Sequence, residues 1–432
     1  MGVGTSTGTG TRYRKGETDM LDLAWRCDWP KLLCRVESHP REAYTLNING
    51  RTALHLSCFG QPSVDVVRSL IKLNPRALFR MDYRSHHTPL HLLCRFGADD
   101  DVICEVIDQM LLLFKKDYKE DKLIRDVLRR SLVSGEIVNV WDDDHSDDES
   151  KDFFRGNNRI EHTRTPLVLA CARGASVGTL RKISNVFNER IICHELATKQ
   201  QQIDVLEQSI DYLWQYFDKN VVPSVPIALA TEYWLSEEVN SLKSESDNIT
   251  KADWDNVMLF RANWEKMDML LSQLSRLKNI GPLSEVHTVA SMHRSLPALL
   301  LWVVNMFSNQ VESPNIHGNL PIHLFSKNNC LTPHWDVGID ILLSTFPNSV
   351  NIPNADGETP LITLLKRRRK WNQGVSRLVR ENPDSLLARD PETRLYPFAI
   401  AAAEKYGNYS VNFVYILIKK CPAAVKYCTE NL

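Results

Sequence analysis

Apolar residues return along this chain in short stripes at helical spacing. Val64, Val66, Val67, Leu70 and Ile71 fall on one face of a helix, and Val411, Phe413, Val414, Leu417 and Ile418 repeat the stripe far downstream. The first stripe stops at Asn74-Pro75, because the residue before a proline disfavours the helical region. Just upstream lies Thr52-Ala53-Leu54-His55-Leu56-Ser57-Cys58-Phe59-Gly60. Threonine is a helix N-cap and glycine tolerates the left-handed conformation that ends a helix. The pattern therefore predicts a short first helix closed at Gly60, then a longer second helix. Gly97 and Gly174 close the corresponding first helices.

This pair recurs. Thr88-Pro89-Leu90-His91-Leu92-Leu93-Cys94-Arg95-Phe96-Gly97 repeats the segment at a shift of 36, and Thr165-Pro166-Leu167-Val168-Leu169-Ala170-Cys171-Ala172-Arg173-Gly174 repeats it again. Weaker copies are Pro226–Ala230, Leu320–Leu324 and Thr359–Ile362. With the histidine slot as marker, the series runs His55, His91, Val168, Ala228, His287, His323, Ile362 and Ala399. Its steps are 36, 77, 60, 59, 36, 39 and 37, so an insertion follows the copy at His91. Pro40, Pro75, Pro347 and Pro383 precede their marker residues by 15 or 16, a second marker in constant phase. Between the markers, Asn47–Gly50, Asn315–Gly318 and Asn354–Gly357 read as tight turns.

These residues resemble the ankyrin-repeat family, whose signature Thr-Pro-Leu-His-x-Ala recurs at a period of about 33. The likeness is strong at 52–60, 88–97 and 359–364, good at 165–174 and 320–325, and weak between 190 and 282. The resemblance implies an all-α, ankyrin-type helix-pair solenoid of eight or nine units, with one acidic insertion and a divergent central helical region. Five segments are expected. Residues 1–18 form a Gly/Thr-rich basic tail, disordered by composition, and 19–116 the first repeats. Residues 117–160 hold a helix and an acidic disordered insertion, 161–282 degenerate repeats and long helices, and 283–432 the last repeats. Trp214, Trp234, Trp254 and Trp264 in the central part are expected in the core. Cys58, Cys94 and Cys171 share one helix position and read as packing residues.

The resemblance further implies a non-enzymatic scaffold or adaptor for protein partners, bound on the concave face through the turn tips and first helices. Tip residues that packing does not demand are the candidate contacts: Tyr83, Arg84, His86, His87, His317, Asn319, Glu358, Arg394 and Tyr396. The last helical stripe carries Tyr415 and Ile416 where an earlier unit has Arg68 and Ser69, so that end is expected to meet a partner, another copy or further chain.

Other motifs weigh less. Gly174-Ala175-Ser176-Val177-Gly178 fits the nucleophile-elbow pattern, but that chemistry needs a strand-to-helix turn, whereas Gly174 here closes a repeat helix. An enzymatic activity hosted in 190–282 is the alternative of a different class. His55, His91, His287 and His323 sit one per unit, a spacing that suits hydrogen bonding to the neighbouring turn better than a shared metal. No cofactor or metal is expected. Met1-Gly2-Val3-Gly4-Thr5-Ser6 fits a myristoylation pattern, which would recruit an adaptor to membranes if Gly2 were acylated. Ser146, inside Asp142–Glu149, suits an acid-directed kinase. Lys366–Lys370 resembles a nuclear-import patch and is expected as a solvated loop.

The totals agree with this reading. Across 432 residues, 52 Lys plus Arg balance 53 Asp plus Glu, which argues against a nucleic-acid footprint. A hydrophobic content of 43% is that of a folded chain. The longest apolar run, Leu296–Met306, is too short for a bilayer span and contains Pro297. No apolar segment follows Met1, so a place inside the cell, in cytoplasm or nucleus, is expected.

Overall fold

The computed structural model describes residues 19–115, 121–129, 165–188, 198–220, 251–281, 284–293, 296–328, 335–369, 371–403 and 411–430. The described residues form helices and turns, with no strand among them. The chain divides into two compact units, Met1–Val205 and Leu206–Leu432.

In the first unit the predicted helix pairs form. The first helices of successive pairs are α1 (Asp19–Trp25), α3 (Ala53–Ser57), α5 (Pro89–Phe96) and α8 (Pro166–Arg173). Their partners are α2 (Trp29–Ser38), α4 (Val64–Leu73), α6 (Asp100–Leu113) and α9 (Val177–Asn188). A further helix, α7 (Lys122–Arg129), covers part of the expected inserted helix. The inner helices α1, α3, α5 and α8 pack side by side, and α2, α4, α6 and α9 form the second layer. Each layer supplies apolar side chains to the space between. On α4, Val66, Val67, Leu70 and Ile71 are all buried, while Asp65 and Lys72 point outward. Burying four such side chains contributes on the order of 8 kcal/mol before chain entropy is counted.

Local rules set the helix ends. Thr52 and Thr165 accept hydrogen bonds from His55 N and Val168 N, and Pro89 and Pro166 occupy first-turn positions where no backbone donor is needed. Gly97 and Gly174 adopt φ of 67° and 80°, as expected for closing residues. Gly60 departs from that expectation, and the left-handed residue is the following Gln61, at φ 55°. A side chain at 60 would meet Cys27 instead, since a Cβ there would lie 1.9 Å from Cys27 Sγ, which would have to move.

The proline markers form 3-10 turns, Pro40–Tyr44, Pro75–Phe79, Pro347–Asn351 and Pro383–Leu387. Asn74, ahead of its proline, donates from Nδ2 to the Ala43 carbonyl of the preceding turn at 2.9 Å, and so ties one unit to the next. Asn382 Nδ2 likewise reaches the preceding turn, donating there to the side-chain oxygen of Asn351. Pro422, in a similar sequence context near the end of the chain, instead opens a regular helix, Pro422–Glu430.

The second unit begins within α10 (Lys199–Asn220) and continues into α11 (Lys251–Lys278), the long helices of the divergent region. Trp214 and Trp264 are buried against Trp302, with ring centroids 6.4 and 4.9 Å away, so both are core residues as expected. Trp234 lies outside the described residues, as does the side chain of Trp254. The repeated pairs then resume. Inner helices α12 (Glu285–Ala290), α15 (Pro321–Lys327), α17 (Pro360–Lys366) and α19 (Pro397–Ala402) stack in order. Between them come α13 (Pro297–Met306), the short α14 (Asn309–Glu312), α16 (Trp335–Thr345), α18 (Ser376–Glu381) and α20 (Val411–Lys420). Residues 422–430 form α21.

Eight inner–outer pairs are present among the described residues, and seven of the eight histidine-slot markers sit on inner helices. The remaining marker, Ala228, and the inter-helix residues 330–334 lie outside the described residues. No described helix is long and apolar enough to cross a membrane.

Candidate functional site

The surface in question is built on turns, and two kinds occur. In the first, Asn47, Asn315 and Asn354 each accept two backbone N–H bonds at their side-chain oxygen or pair with the residue four ahead. Asn47 Oδ1 takes Asn49 N and Arg51 N at 3.0 Å, and Asn47 N donates to the Arg51 carbonyl at 3.0 Å. Gly50, Gly318 and Gly357 supply the left-handed residue, at φ 71°, 67° and 79°. The second kind is one residue longer. Asp82 and Asp390 take the place of asparagine, Ser85 and Thr393 bond back to the carboxylate, and His86 and Arg394 are left-handed at φ 53° and 59°. Asp82 N closes this turn on the His87 carbonyl at 3.0 Å. Burial opposes charge on Asp82, yet bonds from Ser85 and Arg51 outweigh it and hold the carboxyl below its ordinary range.

Histidine then fixes each turn to the helix behind it. His55 Nδ1 accepts from Thr52 N at 3.3 Å and lies 2.9 Å from Thr52 Oγ1. A backbone N–H can only donate, so the ring proton is on Nε2, which donates to the Arg80 carbonyl of the next unit at 3.1 Å. His91 repeats the pairing with Thr88, and His323 Nδ1 accepts from Leu320 N at 3.1 Å. Burial lowers His55 and His323 to about 4, and lowers His287 as well. They are neutral structural rings. Among the described residues no group of three His, Cys, Asp or Glu is placed to hold a metal.

The nine expected contact residues separate under this geometry. Tyr83, Arg84, His317 and Arg394 are exposed at the tips. Tyr83 lays its ring over Gly50, and His317 Nε2 bonds the Asn279 carbonyl at 2.7 Å. His86 and Glu358 are half-buried. His87, Asn319 and Tyr396 are buried, which corrects their selection as residues that packing does not demand. The His87 ring stacks on that of His91, with centroids 5.2 Å apart. Asn319 accepts Asn354 Nδ2 at 3.1 Å, bridging two turns. Tyr396 lies under Arg389, whose guanidinium is 4.5 Å from the ring centroid.

The basic run at 366–370 is not a uniformly solvated loop. Lys366 ends α17 and reaches Glu358 and Asp390 at 2.7 Å and Glu392 at 3.4 Å. Burial acts against its charge, but the bonds to Asp390 and Glu358 prevail and raise its pKa. Arg369 is buried and donates to the Asn328 carbonyl. Only Arg367 and Arg368 are exposed, and Lys370 lies outside the described residues.

Ser176 is an N-cap residue. Its Oγ accepts from Thr179 N at 3.2 Å at the start of α9, and Gly174 is the closing residue of α8. Cys58, Cys94 and Cys171 are buried in equivalent places, and burial raises the Cys58 and Cys94 thiols. Gly2 and Ser146 lie outside the described residues. On α20, Phe413 and Leu417 are buried, whereas Val411 and Tyr415 are 85% and 60% exposed.

One feature escaped the sequence reading. Trp25, Phe59 and Phe96, at the ends of successive inner helices, form a row: Trp25 and Phe59 centroids are 5.8 Å apart, Phe59 and Phe96 4.7 Å. Phe59 and Phe96, each just before a glycine of the repeated segment, were the available signal.

The family model described as ankyrin repeat matches residues 49–77, the span from the first tip through α3, α4 and the following 3-10 turn. The chain is therefore an ankyrin-repeat-containing protein, all-α in its described residues and built from helix pairs of that type. No curated protein matches it.

Proposed function

We infer that this chain is a non-enzymatic scaffold or adaptor that captures protein partners through its turn tips and inner helices. Ankyrin repeats are protein-interaction modules, and the inference carries that general role to particular residues. The supporting observation is a division of labour within each turn. Buried Asn, Asp, Thr and His side chains hold the backbone, while Tyr83, Arg84, His317 and Arg394 project from it and are not needed to close it. The engagement of Ser176 as a helix cap supports the non-enzymatic reading over a hydrolase in which it is the nucleophile. Buried thiols without disulfides at Cys58, Cys94 and Cys171 support a reducing compartment, cytoplasm or nucleus.

The test is affinity capture with Arg84→Glu/Arg394→Glu against the parent chain, alongside thermal melts. Partner recovery is expected to collapse while stability stays within about 0.5 kcal/mol, the range of surface substitutions. Unchanged recovery would remove the tips from the function. Asn319→Ala is expected to cost about 1–3 kcal/mol, since it leaves the buried Asn354 amide without its acceptor.

A further inference from the structure

Outer helices meet their successors along a line of side chains. On α6 the line is Asp100, Cys104 and Asp108, spaced four apart and so on one face of the helix. α9 and its N-cap answer with residues spaced three apart. Ser176 N donates to Asp100 Oδ1 at 3.4 Å, Cys104 Sγ lies 3.9 Å from Thr179 Oγ1, and Lys182 Nζ pairs with Asp108 at 2.6 Å. Both series ascend together, so the two helices run parallel. On α4, Arg68 holds the place of Cys104 and pairs with Glu105 of α6 at 2.9 Å. In the second unit Asp340 stands seven residues before Pro347, as Arg68 does before Pro75. It pairs with Arg377 of α18 at 3.2 Å.

On α20 the same line is Val411, Tyr415 and Lys419, with Tyr415 seven residues before Pro422. It is open. Val411 and Tyr415 are 85% and 60% exposed, Lys419 is exposed, and Val414 and Ile418 are half-buried beside them. Lys419 enters no ion pair among the described residues, and α20 contains no acidic residue. The following helix, α21, packs on the Pro383–Leu387 turn of the preceding unit and leaves the line uncovered.

We propose that this line docks an α-helix of a partner protein, laid parallel to α20 where a following outer helix would lie. Its facing residues, spaced three apart, are apolar against Val411, apolar or aromatic against Tyr415, and Asp or Glu against Lys419. The charge follows from the pattern: Arg68, Asp108 and Asp340 each find the opposite charge on the next helix, so Lys419 requires an acid. Val411 and Tyr415 replace Asp100 and Cys104, and an exposed aliphatic side chain and ring are covered best by apolar groups. A second copy of this chain fits less well. The answering line of α2, the first outer helix, starts at its N-cap Asp28 and continues through Lys31 and Cys34. It would set a lysine against Tyr415 and a thiol against Lys419, and Asp28 and Lys31 already pair with each other at 2.8 Å. Two copies joined through α20 would set Lys419 against Lys419 or Val411. This surface is separate from the turn tips and does not depend on them.

The test selects a phage-displayed library of single α-helices, randomised along one face, against the immobilised full-length chain. Enriched helices are expected to carry apolar residues at two positions three apart and Asp or Glu three further on. Titrations of these helices then use the parent chain, Tyr415→Ser and Lys419→Glu, both at exposed positions. Tyr415→Ser is expected to weaken binding about tenfold, through loss of an aromatic anchor. Lys419→Glu is expected to reverse the preference, so that the helix with Lys in place of its acid binds better than the original. That readout compares two helices on one chain, so it holds even where a variant loses stability. No enrichment, unchanged affinity in Tyr415→Ser, or a Lys419→Glu chain that still prefers the acidic helix would each overturn the proposal. So would a dimer in sedimentation that Tyr415→Ser dissociates, since the face would then belong to a second copy. Arg84→Glu/Arg394→Glu is expected to bind the selected helices as the parent does. Loss of binding there would assign them to the turn tips and remove the site on α20.

Discussion

Lys366 shows how little of a side chain's role is carried by its own neighbourhood in sequence. It stands in a run of five basic residues, yet its partners Glu358, Asp390 and Glu392 come from the turns on either side of α17. Asp390 has a fully buried side chain, so removing the cation leaves a buried carboxylate with one partner fewer. Lys366→Met is expected to destabilise the chain by about 2–3 kcal/mol, below the usual range for a fully buried pair because Lys366 keeps some solvent access. Arg367→Met, at an exposed site, is expected to stay within about 0.5 kcal/mol. Denaturant titration of the two variants side by side checks the contrast, and equal losses would mean that the ionic cluster contributes nothing beyond packing. The nature of this site was not legible beforehand, since it depends on which residues 8 and 24 positions away fold onto the lysine. The capping threonines and their histidines were legible, because their chemistry is local.

At the scale of the element, equal patterns do not mean equal burial. The stripes of α4 and α20 align residue for residue, Val66, Val67, Leu70 and Ile71 with Phe413, Val414, Leu417 and Ile418. All four are buried on α4, but Val414 and Ile418 remain half-buried on α20. Ile71→Ala is therefore expected to cost about 2–5 kcal/mol and Ile418→Ala about 1 kcal/mol, measured as shifts in chemical denaturation. A periodic stripe specifies the face of a helix and leaves open whether a further layer covers it. The same limit applies to the turns. Asn-x-x-Gly was recognisable as a motif, while the Asp82 and Asp390 turns lack the glycine and place left-handed strain on His86 and Arg394 instead. His87 lies in the core at the end of its turn, and Tyr396 lies there because it fills the N-cap slot that Thr52 and Thr88 occupy, buried, in other units.

For the whole molecule, the buried histidines set a pH response. His55 in the first unit and His323 in the second are held neutral, each lowered to about 4 from an ordinary value near 6.5. In the unfolded chain these rings bind a proton near pH 6.5, whereas in the folded chain they do not until about pH 4. Their contribution is complete above about pH 6.5 and is lost as pH falls toward 4, at most about 3 kcal/mol per ring. Carboxylates such as Asp82, lowered in the fold, lose theirs only further down. Thermal midpoints measured from pH 7 to pH 4 are expected to decline steadily. His55→Gln is expected to melt lower at pH 7 but with a shallower slope, and a parallel slope would show that His55 does not carry the response.

The closure of each turn by residues other than those at its outermost point has a practical meaning for the tip itself. Ile48, Tyr83 and Ile316 occupy positions whose backbone is already determined by Asn47, Asp82 and Asn315. Substitutions there leave the bonds that close the turn in place. Under the proposed function, specificity and stability are thus written in separate letters of the same short segment.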